Sequence, residues 1–160
     1  MRGECEVGSE LEKVLGDEYT VFPDVKINEF ANIDFVVIGP TGVFVLEVKN
    51  DKGKIDFDGD NLTNNGVPFE KNILNQAMQD EALLLGDLFK SRFSKEIFVT
   101  PVIVFADFNA KLHFGMNKQK NVHVIGKSWL QKFFEEQPKY SFPVDRDLLE
   151  KEVSKYVKKV

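Results

Sequence analysis

The stretch from residue 33 to residue 49 constrains the fold more than any other part of the chain. Two apolar runs, 33–38 and 43–49, flank Gly39-Pro40-Thr41-Gly42, a sequence rich in turn-forming residues. A symmetric four-residue turn sets Ile38 opposite Val43. Facing residue numbers then sum to a constant, so Val36 faces Val45 and Asp34 faces Glu47. Side chains alternate along a strand, so Ile33, Phe35, Val37, Phe44, Leu46 and Val48 form one wholly apolar face. The other face is apolar near the turn and ends in Asp34, Glu47 and Lys49. A hairpin apolar on both faces belongs inside a sheet covered on both sides.

Two carboxylates directly opposite one another repel. A divalent cation between them removes that repulsion. Mg²⁺ binds through one or two carboxylates, keeps several waters and accepts phosphate oxygens as further ligands. A neighbouring lysine can orient a water or stabilise developing negative charge on a phosphate. Asp34, Glu47 and Lys49 therefore supply the minimum for metal-assisted phosphodiester hydrolysis. A plain ion pair at a frayed hairpin end accounts for the same spacing.

The rest of the chain reads as helices and strands around this hairpin. Ser9-Glu10-Leu11-Glu12 has capping-box spacing and predicts a short helix ending near Gly16. A first strand follows over 19–27. Residues 55–63 predict a small hairpin turning at Asp58-Gly59, and Asn65-Gly66 marks another turn. Residues 72–93 carry an amphipathic helical pattern. Further strands are expected over 97–105, interrupted by Pro101, and over 122–125. Helices are expected from Ser128 to Phe134 and from about Asp145 onward, the last with Leu148, Leu149, Val153, Tyr156 and Val157 facing inward. The fold class is α/β, a mixed sheet flanked by helices. At 160 residues, with 42% hydrophobic content and fifteen Phe, one domain over 1–160 is expected. Its core would span about 8–126 and its helical C-terminal part about 127–160.

These residues carry a resemblance. Asp34, followed by Glu47-Val48-Lys49 after a hairpin, resembles the signature of the PD-(D/E)XK nuclease superfamily. The run from 33 to 50 is similar to the central pattern of one branch, the nuclease-related domain or NERD family. Gly8-Ser9-Glu10 resembles its N-terminal helix motif. Asn72-Ile73-Leu74-Asn75-Gln76 resembles its Asn-Pro-x-x-Gln element, with Ile73 in place of proline. The resemblance covers roughly 8–105. It implies a restriction-endonuclease-like αβββαβ core followed by C-terminal helices. It implies Asp34, Glu47 and Glu10 as ligands of Mg²⁺ or Mn²⁺, Lys49 as the catalytic lysine, and Gln76 completing the site. The expected activity is a metal-dependent nuclease acting on nucleic acid, with DNA preferred by analogy to the superfamily. The alternative is a catalytically silent nucleic-acid-binding or regulatory module.

Other features refine this reading. The segment 108–134 holds Lys111, Lys118, Lys120, Lys127 and Lys132 and no acid, within a chain of net charge −5. It is a candidate phosphate-backbone contact, or a solvated loop and helix. Asp56, Asp58 and Asp60 alternate but lack the glycine and glutamate positions of an EF-hand. His113 and His123 lack paired metal-ligand spacing. The single cysteine, Cys5, forms no internal disulfide, and no apolar run of roughly 20 residues spans a membrane. A cytoplasmic location is expected, with a homodimer or a protein partner left open.

Overall fold

The hairpin becomes the middle of a five-stranded sheet. The computed structural model of the protein describes residues 2–115 and 117–158. A first helix, α1 (Arg2–Val14), leads into β1 (Thr20–Asn28), β2 (Ala31–Gly39) and β3 (Gly42–Lys49). A smaller group follows: β4 (Gly53–Phe57), β5 (Leu62–Asn64) and β6 (Val67–Pro68). One continuous helical run over 73–93 then crosses back. It comprises α2 (Ile73–Asn75), a π-helical segment (Gln76–Leu83) and α3 (Leu84–Phe93). After it come β7 (Val99–Phe105), β8 (Ala110–Leu112), β9 (His123–Gly126), a 3₁₀ turn (Lys127–Trp129), α4 (Leu130–Glu135) and α5 (Arg146–Ser154).

The five-stranded sheet has the order β1-β2-β3-β7-β9. Its β1–β2–β3 part is antiparallel, whereas β7 pairs in parallel with β3 and β9 with β7. The register of β2 and β3 is the expected one, with Ile38 opposite Val43 and Phe35 opposite Leu46. Gly42 sits at φ +127°, a conformation that side-chain-bearing residues rarely adopt.

Two layers cover this sheet. Phe35, Val37, Phe44, Leu46 and Val48 pack beneath α1 and α4, against Val7, Leu11, Phe133 and Phe134. Val36, Ile38, Val43 and Val45 pack on the other side, against Ala82, Leu85 and Phe89 of the long helical run and Leu149 and Val153 of α5. A third cluster joins Ile73, Leu74 and Ala77 to Ile103 and Phe105 of β7 and to Ile55 and Leu62 of the second sheet. Each large apolar side chain so buried contributes roughly 1.5–3 kcal/mol. The expected alternation fails at Ile33, which packs with Val25, its partner on β1, in the second layer. There Asp24 takes φ +48°, and the pair 24/34 drops out of the β1–β2 register. A left-handed residue breaks the two-residue period on which the face assignment rests.

Other expectations change as well. Helix α1 begins at Arg2, well before the capping-box serine, because Val7 and Leu11 already form a buried stripe one turn apart. Gly8 lets it lie close to the sheet: a Cβ there would stand 3.3 Å from Cζ of Phe35. Pro101 does not interrupt β7. It pairs with Val45, and β9 begins opposite Val102, so the proline has a strand on one side only. The small hairpin grows into a four-stranded sheet, β6-β5-β4-β8, because 110–112 add in parallel to β4. Ser128 lies inside the 3₁₀ turn, and Gly126 precedes that turn without a side-chain cap. Helix α5 starts where expected, and Asp145 caps it, its carboxylate accepting from Asp147 N at 3.1 Å. Leu148 faces solvent, one position off the Leu149–Val153 stripe.

Candidate metal centre

The acidic end of the hairpin lies at the seam between two core clusters. Glu47 pairs with Ile103 and Lys49 with Phe105 across the parallel β3–β7 ladder, so both point toward the layer under the long helical run. The π-helical segment supplies that cover and packs over β2, β3 and β7. Its buried residues are Ala77, Glu81 and Ala82. A π turn is wider than an α turn and often marks a functional site. Here it brings an acid, Glu81, inward between two alanines.

Asp34, Glu47 and Glu81 are 7%, 9% and 1% exposed. Burying charge in this way is costly unless it is paired or neutralised. Oδ2 of Asp34 accepts from Val48 N at 2.8 Å, and its carboxyl also lies within hydrogen-bonding reach of Glu47. The carboxylate thus takes the next backbone donor where the β2–β3 ladder ends. Nζ of Lys49 lies 3.9 Å from Oε1 of Glu47, a long contact. Glu47 Oε2 and both oxygens of Glu81 accept no hydrogen bond from an N–H or hydroxyl among the described residues, and the two carboxyls lie close enough to share a proton. Burial, followed by the charge of Glu47, pushes Asp34 up to about 8, against the partial opposing effect of the Val48 N–H. Burial and the neighbouring Glu47 hold Glu81 well above the usual carboxylate range, with Asp34 adding to the effect and Lys49 opposing it.

Asp34, Glu47 and Lys49 therefore occupy one region, as the hairpin arithmetic expects. Glu81 joins them, and the sequence reading did not name it. Its signal was available: Glu81 falls four residues after Ala77 and four before Leu85, on the apolar stripe of the helical pattern. The acid of α1 whose charge bears on Asp34 is Glu4. Glu10 lines a shallow hollow with Cys5, Ser9 and Lys127. Gln76 is half-buried at the first position of the π segment, and its side chain makes no hydrogen bond among the described residues.

The orphaned oxygens suit a hard divalent cation, which takes carboxylate oxygens and completes its shell with water and phosphate. Asp34, Glu47 and Glu81 supply carboxylate oxygens of that kind in one region. Among the described residues no group of three or more His, Cys, Asp or Glu is placed so that it could hold a metal ion as it stands. His113 stands 3.5 Å from Asp56 across the second sheet. His123 packs edge-on against Phe133, and burial lowers it to about 4. Neither histidine enters the acidic group.

The candidate phosphate-binding lysines divide. Lys111 and Lys127 line a cleft beside the ends of β7 and β9. Lys120 is already committed: its Nζ contacts Asp60 O at 3.0 Å, Asp60 Oδ1 at 3.1 Å and Asn75 Oδ1 at 3.0 Å. Lys118 is exposed. No helix among the described residues is long and apolar enough to cross a membrane.

Comparison with family models matches residues 1–106 to the nuclease-related domain. No curated protein and no solved structure matches the chain.

Proposed function

The chain belongs to the nuclease-related domain family, and from that premise we propose that it is a divalent-metal-dependent nuclease hydrolysing phosphodiester bonds, with DNA as substrate. One observation carries the reading: three buried carboxyls, Asp34, Glu47 and Glu81, converge on one another beside Lys49. Gathering three mutually repelling acids away from water is costly for a purely structural role. Asp34 and Glu47 would hold Mg²⁺ or Mn²⁺, with Glu81 as a third carboxylate in reach of the same region. The bound cation supplies positive charge that neutralises the acids and polarises the phosphodiester.

The chain's own residues do the rest. The Val48 N–H fixes one oxygen of Asp34 at the hairpin end. The Glu47 carboxylate holds the Lys49 ammonium at the strand end. Lys49 orients the attacking water and stabilises charge developing on the phosphate oxygens. Glu10 and Gln76 keep the supporting roles implied by the family pattern as part of this proposal.

A second reading, a silent nucleic-acid-binding module, draws on the near-complete burial of the three carboxyls, which restricts access to them. Plasmid cleavage with Mg²⁺ or Mn²⁺, against a metal-free control, separates the two. Lys49→Ala is expected to abolish cleavage while calorimetry still detects Mn²⁺ binding, since the carboxylates hold the ion. Loss of Mn²⁺ binding in that variant would contradict the role given to Lys49.

A further inference from the structure

A cleft of about 670 Å³ opens where β7 and β9 end. It adjoins the acidic group through the backbone: Lys49 pairs with Phe105, and Ala106 N donates to Lys49 O at 2.8 Å. Phe105 and Ala106 both line the cleft. Two aromatic rings on its wall are open to water, Phe108 at 85% and Trp129 at 43% exposure. Each carries a lysine. Nζ of Lys111 lies 4.6 Å from the Phe108 ring centre, and Nζ of Lys132 lies 5.1 Å from that of Trp129. Lys127 adds a third cation, 3.6 Å from Glu6 Oε2. Asp107 is the acid of the lining, and its Oδ1 is engaged by Asn109 N at 2.7 Å.

We propose that this cleft binds an unpaired nucleic-acid strand and leads it to the neighbouring acidic group, so that the substrate is single-stranded or frayed. The inference rests on the phosphodiester reading of Asp34, Glu47 and Lys49. Exposed aromatic rings beside lysines are the combination that holds single strands: bases stack on the rings and phosphates meet the ammonium groups. A duplex keeps its base faces inside its own stack and offers none to Phe108 or Trp129. Surface packing of lysine over ring explains each pair alone. It does not explain why both pairs and Lys127 line one cleft beside Lys49.

The chain has a single tryptophan, so Trp129 is its own reporter. Titrating oligothymidine into the metal-free protein in EDTA should quench its fluorescence, and a blunt duplex of equal length should not. Anisotropy of a labelled oligothymidine should show about tenfold weaker binding for Phe108→Ala and for Trp129→Ala. Trp129→Phe should restore most of the affinity. Phe108 is so exposed that its replacement tests the cleft without a folding defect. Oligodeoxyuridine and oligouridine, compared side by side, distinguish the sugar, and binding of either strand supports the cleft. The proposal is overturned if a duplex binds equally well without a fluorescence change, or if both alanine variants bind like the parent. Strand binding without metal-dependent cleavage would sink the nuclease reading and leave the cleft standing. Cleavage with unaltered binding in both alanine variants would remove the cleft alone.

Discussion

Asp34 is held toward its acid form by burial and by Glu47, and this has a measurable consequence. A carboxyl at about 8 in the folded protein, against an ordinary value near 3.8, makes the folded state bind more protons between those limits. Stability of the metal-free protein should therefore be fullest below pH 4 as far as this group is concerned, and fall as pH rises toward 8. Glu81 contributes with the same sign. Asp34→Asn keeps an acceptor for Val48 N–H and removes the repulsion, so the variant should melt at least as high as the parent at pH 8 and show a flatter pH dependence. Mn²⁺ at a hundredfold excess over its dissociation constant should stabilise the parent by about 2.7 kcal/mol. Asp34→Asn should lose most of that response. Melting curves at pH 5 and pH 8, with and without Mn²⁺, check all three. An Asp34→Asn variant that melts lower, with no metal effect in either protein, would reduce the group to a structural ion pair.

At the scale of elements, some positions were legible in the sequence and others were not, for physical reasons. The two-residue period pins strand register, so the pairing of Val36 with Val45 followed from the turn alone. No comparable rule announces a π segment, although the i, i+4 spacing from Ala77 and to Leu85 already set Glu81 on the apolar stripe. The basic segment 108–134 showed its charge but not its commitments. Lys120 ties its loop to Asp60 and Asn75, whereas Lys111 and Lys127 line the cleft. Lys120→Ala should thus lower stability by roughly 1 kcal/mol and leave the salt dependence of strand binding unchanged. Lys111→Ala and Lys127→Ala should each reduce the salt slope by about 0.7. Equal slopes for all three variants would show that the division is wrong. Helix α1 offers a packing test. Gly8→Leu drives a side chain into Phe35 and should cost about 1–3 kcal/mol, read from denaturant midpoints.

For the whole molecule, the segment after α5 closes an open boundary of the sheet. β1 is an edge strand. Lys26 N donates to Tyr156 O and Lys158 N donates to Asp24 O, each at 2.8 Å, while Val157 bridges Val25. Truncation after Ser154 would bare those groups, and an uncovered edge invites pairing between chains. Light scattering should then show concentration-dependent association that the full chain lacks. The parallel pairing of β3 with β7 reaches further, into the order of events in time. Glu47 and Lys49 are flanked on their other side by a strand that the chain reaches after the second sheet and the whole helical run. Such a contact closes a long loop and forms late. Glu81 travels within that loop. During refolding, Mn²⁺ affinity should consequently rise with the slowest phase, never ahead of it. A fragment ending before Val99 carries every acid of the group but lacks β7, and it should bind Mn²⁺ more weakly than the full chain.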